Sequence, residues 1–464
     1  MLTHEQNEYL CSVAPGTPGG DLMRRYWHPL YPAAELTKNP VAKVRLLCED
    51  LVLFRDRSGK LGLVDEKCPH RRASLVIGIP EDEGIRCAYH GWQFSADGRC
   101  LDQPLEPHGS RYKDRIRIKS YPVEEMGGLI WAYLGPQPVP LLPRWDLFVR
   151  ERGFRQIVGH QLPCNWLQCM ENRADMGHAV YLHGRLFQYA LERQGRLTDD
   201  AKARYNATMN SHDEMRAAGI GVRYRPIFNE FGFTKGSIKT GQPEDTRSWT
   251  IGANPILFPY ILAFGPEEGD QRIRRSYQIG VPIDDTHTWH LNYFCYCPPE
   301  GVEVPEQDQV AYKEVPLRDE NGEYIMDYVL AQDMVAWVEQ GPMADRSQEN
   351  LAGSDVLVSE YRRLLKSQID RVAAGKEPMN VFRDPALVNS PELRVPGNDG
   401  SAPVRDTMFH AAVSYRENYH QRSAAGTLYI DDDADRYCPD RAIVLELFRQ
   451  SEQIRLTQQA AKQD

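Results

Sequence analysis

Two short stretches in the first third of the chain share an unusual composition: CPHRRASL at residues 68–75 and CAYHGWQF at residues 87–94. Each stretch contributes one cysteine and one histidine. The four side chains are Cys68, His70, Cys87 and His90, with sixteen residues between the two pairs. Thiolates and imidazoles are good ligands for zinc and iron. Two such pairs on two loops can therefore clamp one metal centre.

The way in which the ligands are paired indicates which metal centre this is. A structural zinc site with two cysteines and two histidines is one possibility, but zinc fingers usually pair cysteine with cysteine and histidine with histidine. A mixed pairing is typical of a Rieske [2Fe–2S] cluster, in which two cysteines hold one iron and two histidines hold the other. We therefore predict a Rieske cluster, with a reduction potential of roughly −150 to +300 mV, and keep zinc as the alternative.

The residues around these loops predict a mostly β domain. Residues 41–55 are rich in β-branched and aliphatic side chains, and a turn separates them from the apolar run 61–64, which predicts a hairpin. The stretch GPQPVP at residues 135–140 then stops regular structure. We place a domain boundary there, with a first domain at 1–140 that includes the N-terminal segment and a second domain at 141–464.

The second domain mixes helices and strands, so the predicted fold class is α+β. Its predicted elements are a helical segment at 165–182, strands within 248–297, and helices at 328–339, 355–374 and 441–458.

A second group of metal-binding side chains lies in the helical segment 165–182. Asp175 and His178 are three residues apart and would share a helix face. His178 and His183 are five residues apart, about 140° around an ideal helix. Both histidines can reach one metal only if the helix bulges or ends between them. Spacing alone leaves open whether they are packed or surface residues.

Both groups resemble known motifs of the Rieske non-haem iron aromatic ring-hydroxylating oxygenases. The match comprises the two stretches at 68–75 and 87–94, and the string NWLQxxENxxDxxHxxxxH at 165–183, which resembles the iron segment of the phthalate dioxygenase-like branch. The resemblance implies an all-β Rieske domain followed by a helix-grip catalytic domain with an antiparallel sheet. It also implies that His178 and His183 bind a mononuclear Fe(II).

The third iron ligand should be a carboxylate far along the chain, since two histidines and one carboxylate leave positions free for O2 and substrate. The candidates are Asp327, Asp333, Asp345 and Asp355. Asp333 lies among apolar residues, where a carboxylate is unfavourable unless a cation or a metal pairs with it. The segment also resembles the family's distal-ligand helix, where an acidic residue precedes a tryptophan by one turn. We predict Asp333.

The resemblance gives Asp175 and Asn172 other roles. In the family, the aspartate that matches Asp175 bridges a cluster histidine of one subunit and an iron-bound histidine of the next, in a head-to-tail trimer. Here the bridge would join His90 of one chain to Asp175 and His178 of its neighbour. Asn172 lies one turn before Asp175 and is a candidate to support the iron ligands. The alternative is that Asn172 is a polar residue on the helix face without a role in the site. The expected assembly is a homotrimer or a homohexamer built of trimers.

Charge and motifs restrict the partners. Lys and Arg total 55 and Asp and Glu total 65, a net charge of −10, which disfavours nucleic acid and anionic membranes. No transmembrane run and no signal peptide is evident, so we expect a cytoplasmic protein. No nucleotide-binding motif is present either, so electrons from NAD(P)H should arrive through a separate reductase. The resemblance implies a flavin and ferredoxin-type reductase.

These observations predict a terminal oxygenase that uses O2 to hydroxylate an aromatic compound, carboxylated by analogy with phthalate, through ring cis-dihydroxylation. One alternative is a monooxygenase that O-demethylates a methoxylated aromatic acid. An alternative of another class is a non-catalytic Rieske electron carrier. Six arginines follow the iron segment, and one or two of them are candidates to bind a substrate carboxylate: Arg193, Arg196, Arg204, Arg216, Arg223 and Arg225.

Overall fold

The computed structural model describes residues 1–195, 197, 199, 213–243, 250–251, 254–264, 273–384 and 438–461. The helices are α1 His4–Cys11, α2 Pro18–Met23, α3 Ala33–Lys38, α4 Asp146–Val149, α5 Trp166–Ala174, α6 His178–Val180, α7 Phe187–Arg193, α8 Val329–Val338, α9 Val356–Ala373 and α10 Arg441–Ala460. A π-helical segment, Tyr181–Leu186, joins α6 to α7. Among the described residues, no helix is long and apolar enough to cross a bilayer.

Three small antiparallel sheets build the first part of the chain. They contain β1 Trp27–Pro32, β2 Val41–Leu46, β3 Glu49–Arg55, β4 Leu61–Asp65, β5 Ile79–Pro80, β6 Ile85–Arg86, β7 Gln93–Phe94, β8 Cys100–Asp102, β9 Ser120–Tyr121, β10 Val123–Met126 and β11 Leu129–Tyr133. The sheet orders are β1-β11-β10, β2-β3-β4-β9 and β5-β6-β7-β8. The predicted single strand 41–55 is in fact two strands, because the chain turns at Leu47 and Cys48, both in the left-handed region.

A nine-stranded sheet forms the second part. Its strands are β12 Phe154–Leu162, β13 Val222–Asn229, β14 Gly232–Lys239, β15 Thr250–Ile251, β16 Ile256–Leu257, β17 Ile261–Phe264, β18 Arg274–Asp284, β19 His287–Tyr296 and β20 Ala311–Glu314. The order is β13-β14-β16-β17-β18-β19-β12-β20, with β15 paired to β14. All pairs are antiparallel except β12 with β20. The predicted α+β class with an antiparallel catalytic sheet is confirmed.

Helix α9 covers this sheet because its apolar residues recur every three or four positions. Its buried residues include Leu357, Tyr361, Leu365 and Ile369, and Gly375, with φ +70°, ends the turn that follows. The N-terminal helix α1 also packs against this second part of the chain, since the backbone N–H of Leu2 donates to the carbonyl of Arg346 at 3.1 Å. The boundary at residue 140 remains a prediction.

A buried ion cluster ties α5 to α9. Both oxygens of Glu171 accept from Arg346, each at 2.7 Å, and Oε1 also accepts from Arg362 Nε at 2.6 Å. Burial raises the pKa of Glu171, but the charges and hydrogen bonds of the two arginines outweigh burial and hold the pKa below its usual value. The cluster anchors the helix that leads into the proposed iron site.

We expect Glu171→Ala to lower the free energy of unfolding by about 3–5 kcal/mol, because two guanidinium groups lose their shared carboxylate. Urea denaturation under anaerobic conditions measures the change. Glu360→Ala, which removes a surface ion pair with Arg363 on the same helix, should change it by about 0–1 kcal/mol. Equal effects of the two substitutions would contradict the assignment.

The difference between wild type and Glu171→Ala should also depend on pH. A carboxyl whose pKa is lowered by folding stabilises the protein above its unfolded pKa of about 4.3, and this stabilisation is lost as the pH falls through the folded value. The two unfolding free energies should therefore converge as the solution is acidified below about pH 4.

Candidate metal centres

The two loops that hold Cys68 and Cys87 have the same backbone construction. Cys68 N–H donates to Ala73 O at 2.8 Å, and Arg72 N–H donates back to Cys68 O at 2.9 Å. In the second loop, Cys87 N–H donates to Trp92 O and Gly91 N–H donates to Cys87 O. Each loop therefore closes on its own cysteine through two backbone hydrogen bonds, which fix the position of that residue's backbone.

The four side chains of these loops form an asymmetric site. Cys68 and Cys87 are buried, at 1% and 3% exposure, whereas His70 is exposed and His90 is half-buried. The imidazole centroids are 4.6 Å apart, and the ring of Trp92 stacks on His70 at 4.4 Å. The sulfurs thus face the interior and the histidine nitrogens face outwards, as a centre with chemically different halves requires.

The spacing of these donors favours a cluster over one zinc ion. Among the described residues, one group of three metal-binding side chains has all its ligand atoms within 4.8 Å of one another, and it consists of His178, His183 and Asp333. The four donors of the two loops do not meet this distance. One tetrahedral zinc would need all four donors at about 2.0–2.3 Å from one point. Burial also raises the pKa of Cys68 to about 11, and the adjacent Cys87 adds to the shift. A bound metal would ionise such thiols.

The second group sits where helix α5 breaks. Asn165 caps the start of α5, since its side chain accepts from Leu167 N, and Asp175 at the end has extended backbone. Asp175 and His178 therefore do not share a continuous helix face, which corrects the prediction. Instead the Asp175 carboxylate accepts from Gly177 N at 2.8 Å and from His178 N at 2.9 Å, and so starts the next helix.

The predicted bulge between the two histidines is present. The chain from Tyr181 to Leu186 is a π-helix, whose hydrogen bonds join residues five apart. This wider turn brings His178 and His183 to one side, with ring centroids 5.2 Å apart at 84°. Their Nε2 atoms lie 3.6 and 3.2 Å from Asp333 Oδ1 on α8. Two ligands that each lie about 2.1 Å from one metal at right angles are about 3 Å apart.

Asp333 itself fits a metal ligand. Its carboxylate is buried, and no group among the described residues reaches Oδ1 with hydrogen-bond geometry. A buried oxygen without a donor is unfavourable unless something else pairs with it. Burial raises the pKa of Asp333, but the two histidines and a hydrogen bond from Asn172 outweigh burial and lower it. The donor set of two imidazoles and one carboxylate suits a non-haem Fe(II).

Each histidine is oriented through its other ring nitrogen. His178 Nδ1 lies 3.1 Å from Asp175 Oδ2, and His183 Nδ1 lies 3.0 Å from Gln332 Oε1. The amide nitrogen of Gln332 donates to Met326 O at 2.9 Å, which fixes the amide's orientation. Sequence reasoning missed Gln332; its position next to Asp333 was the available signal, because such partners fix the tautomer of a ligand.

Two buried cationic side chains near the site were not predicted from the sequence. Arg173 is 2% exposed, and its guanidinium lies 2.7 Å from His290 Nδ1 and over the ring of Trp337. Lys235 on β14 is buried and donates to Arg173 O at 2.9 Å. Burial lowers the pKa of Lys235 to about 8, against the charges of Asp175 and Asp333. These cations offset the two carboxylates, so a divalent metal would leave the site with a net positive charge.

The other candidates lie apart from this group. Asp345 and Asp355 accept backbone hydrogen bonds from Ser347 and Ala352 and end short turns. Asp327 is buried but contributes no ligand atom to the group. Of the six arginines, Arg196 and Arg204 lie outside the described residues.

Comparisons with known proteins fit these two sites. A family model for the Rieske [2Fe-2S] domain matches residues 26–122, and one described as "LigXa C-terminal domain like" matches residues 320–390. The 5,5'-dehydrodivanillate O-demethylase oxygenase subunit of Sphingobium sp. is 39% identical over 83% of this chain and 85% of its own length. The chain belongs to the Rieske oxygenases. The alpha subunit of phenoxybenzoate dioxygenase from Ectopseudomonas oleovorans is 45% identical over 80% of this chain and 87% of its own length.

A solved structure supports the fold of this Rieske oxygenase. Pseudomonas putida CBB5 NdmA with caffeine superposes with a TM-score of 0.55 at 19% identity, covering 77% of this chain and 94% of that one. Membership of the family confirms the predicted cofactors, a [2Fe–2S] Rieske cluster and a mononuclear iron. It also confirms an oxygenase subunit that uses O2, a small-molecule substrate and electrons from a separate reductase or ferredoxin.

We expect Gln332→Ala to weaken iron binding by about 10- to 100-fold, because His183 loses the partner that orients its ring. Titration of the iron-depleted protein with Fe(II) under anaerobic conditions measures this. Gln340→Ala is the matched control, since Gln340 is exposed and donates only to Ala336 O. Unchanged iron affinity in Gln332→Ala would contradict the proposed orientation of His183.

Proposed function

We propose that this enzyme is the terminal oxygenase for a carboxylated aromatic compound and that its principal reaction is ring cis-dihydroxylation. The observation that carries the proposal is the convergence of His178, His183 and Asp333 on one point, where the buried Asp333 Oδ1 accepts no hydrogen bond among the described residues. Two relatives, a phenoxybenzoate dioxygenase and a dehydrodivanillate O-demethylase, support an aromatic acid as substrate. The excess positive charge of a metal-loaded site would also favour an anion.

We assign the ligands as follows. Cys68, His70, Cys87 and His90 would hold the cluster, and His178, His183 and Asp333 would hold the iron. When bound, the iron would supply the activation of O2 with electrons from the cluster. The chain's own residues orient and balance the site: Asp175 and Gln332 hold the two imidazoles, Asn172 helps to lower the pKa of Asp333, and Arg173 and Lys235 offset the carboxylates.

We further propose a homotrimer, alone or within a hexamer, in which His90 of one chain reaches Asp175 of the next. The exposed edge of the cluster loops supports this. His70 is exposed, and the neighbouring Tyr89 is 55% exposed, which leaves an accessible rim around the histidine side. We also propose a Rieske domain at 1–140 and a catalytic domain at 141–464. The proposed location is the cytoplasm, where NAD(P)H is available.

A product screen with a matched reductase tests the reaction. Aromatic carboxylates with and without methoxy groups are incubated under ¹⁸O2, and the products are analysed by mass spectrometry. We expect a cis-dihydrodiol that contains two labelled oxygen atoms.

The other outcomes separate the alternatives. Formaldehyde and a phenol from a methoxylated acid, without any dihydrodiol, would favour O-demethylation, which the 39% identical relative performs. Reduction of the cluster without substrate oxidation by any compound would favour an electron carrier.

A further inference from the structure

Two cysteines at the end of β19 lie close together and far along the chain from either proposed metal segment. Cys295 Sγ and Cys297 Sγ are 3.6 Å apart. Residues two apart on a strand point to the same face of the sheet, so both thiols project to one side. Cys295 is buried and Cys297 is half-buried. The sequence alone shows neither the separation of the two sulfurs nor the side chains around them.

The strands on both sides place arginines next to these thiols. In the register of the sheet, Cys295 lies directly opposite Arg155 on β12 and Arg275 on β18. Side chains directly opposite each other on neighbouring strands share a face, with Cβ atoms about 4.5–5.5 Å apart. Arg275 Nε is buried without an acceptor among the described residues. Within the described residues, one donor of this guanidinium is therefore unused beside the thiols.

The groups that face the pair come from several elements. Those whose charges act on it are Arg150 before β12, Arg155 on β12, Arg275 on β18 and Asp146 on α4, with the phenols of Tyr277 and Tyr293 nearby. Asp146 accepts a hydrogen bond from Tyr277. Among the described residues, the main charged influences on the pair are three guanidinium groups and one carboxylate, an excess of positive charge that favours a thiolate.

The two thiols differ in their ease of ionisation. The hydrogen bond from Cys295 lowers the pKa of Cys297 to about 7; burial opposes this, and Arg150 and Arg275 support it. The pKa of Cys295 is raised, first by its hydrogen bond to Cys297 and then by burial. Burial raises the pKa of Cys48 and of Cys100 to about 11. The pair thus combines a nucleophilic sulfur with an adjacent thiol that can resolve a first oxidation product.

We propose that Cys295 and Cys297 form a peroxide-oxidisable dithiol, a modification site separate from both metal centres. The oxidant is hydrogen peroxide, the product of two-electron reduction of O2 when turnover is not coupled to substrate oxidation. The thiolate of Cys297 attacks one peroxide oxygen, the O–O bond breaks, and the leaving hydroxide takes a proton to form water. Cys297 becomes a sulfenic acid, whose oxygen the arginines can bind.

The second step forms a disulfide bond between Cys295 and Cys297. The sulfur of Cys295 attacks Cys297 Sγ, its thiol proton goes to the departing hydroxyl, and a second water leaves. Two thiols and one H2O2 thus give one disulfide and two waters. The sulfurs must approach by about 1.5 Å to reach the S–S bond length of about 2.05 Å. Cys297 lies just beyond the last residue of β19, and its backbone N–H donates to Ile273 O at 2.6 Å, so the approach of the sulfurs must come chiefly from rotation of the two side chains.

The test uses the holoenzyme treated with one equivalent of H2O2, followed by alkylation and peptide mass spectrometry without reduction. We expect the peptide that contains both cysteines to lose two hydrogen atoms and to resist alkylation until dithiothreitol is added. Cys295→Ser should leave Cys297 as a sulfenic acid that dimedone traps. Cys297→Ser should abolish both products, and Cys48→Ser should behave like wild type.

The variant Arg275→Gln tests whether the positive charge, rather than packing alone, sets the reactivity of Cys297. Removing one guanidinium should slow the alkylation of Cys297 at pH 7 by about fivefold, because a rise of about one unit from a pKa of about 7 lowers the thiolate fraction at pH 7 by that factor, while the visible spectrum of the cluster is retained. The proposal is overturned if Cys48 reacts with peroxide before the pair does. It is equally overturned if the cluster bleaches while both thiols remain alkylatable.

Discussion

Asp333→Ala is expected to lose the mononuclear iron and all measurable turnover while it keeps the visible spectrum of the Rieske cluster. Asp333 supplies the one carboxylate of the converging group, and its Oδ1 lies 3.2 and 3.6 Å from the two imidazole nitrogens. Without it, two imidazoles remain beside Asp175, with the buried cations Arg173 and Lys235 nearby. That environment repels a divalent cation. Iron should fall from about three to about two atoms per chain.

Metal analysis of anaerobically purified protein, together with the visible spectrum, provides the measurement. Asp333→Asn keeps the size of the side chain and guards against a folding defect, and it should also lose the iron. Asp345→Ala removes an exposed aspartate that the sequence offered as an alternative ligand, and it should retain about three irons. Retention of the third iron in Asp333→Asn, or loss of the cluster in it, would refute the ligand assignment.

Asp175→Asn is expected to keep both metal centres and to slow turnover by about 100-fold. Its carboxylate accepts from Gly177 N and His178 N and lies against His178 Nδ1. Asparagine preserves the size and one acceptor oxygen, but it removes the charge that fixes the tautomer and the basicity of the imidazole. Loss of such a partner commonly reduces metal affinity or activity 10- to 100-fold.

The measurement is a single-turnover experiment, in which the chemically reduced enzyme meets O2 and substrate and the reoxidation of the cluster is followed by its absorbance. Asp355→Asn is the matched control, because Asp355 also accepts a backbone hydrogen bond at a turn but touches neither centre. If the cluster of the Asp175→Asn variant is reoxidised at the wild-type rate, Asp175 only caps the helix that follows it. If it loses iron instead, its role lies in holding His178.

The sequence predicted residues whose chemistry is local. A metal centre is indicated by the identities and short spacing of Cys68 with His70 and of Cys87 with His90. The separation of His178 and His183 required a bulge, and a π-helix provides it. Asp333 was predicted because a lone carboxylate among apolar neighbours needs a partner, and the structure brings it to the two histidines. Residue types and spacings of a few positions carry this information.

Other features depend on segments that are distant in the chain. The orientation of His183 by Gln332 joins residues 149 positions apart. Lys235 reaches the end of α5 only because β14 crosses beneath it. Asp175 was expected on a helix face and instead ends one helix and starts the next, because its carboxylate accepts the free N–H groups of the following turn. No local pattern encodes the contacts of Gln332 and Lys235, whereas the cap at Asp175 joins residues only two and three positions apart.

The sequence by itself therefore determined the two metal chemistries and the α+β fold class, since ligand identity and short-range spacing fix which metals can bind. Only the tertiary structure decided how the ligands are oriented, how the buried charges balance, and that Cys295 lies between two arginines. The physical reason is that hydrogen bonding and electrostatic interactions act through space. The register of neighbouring strands, rather than the order of residues along the chain, sets which side chains come within their range.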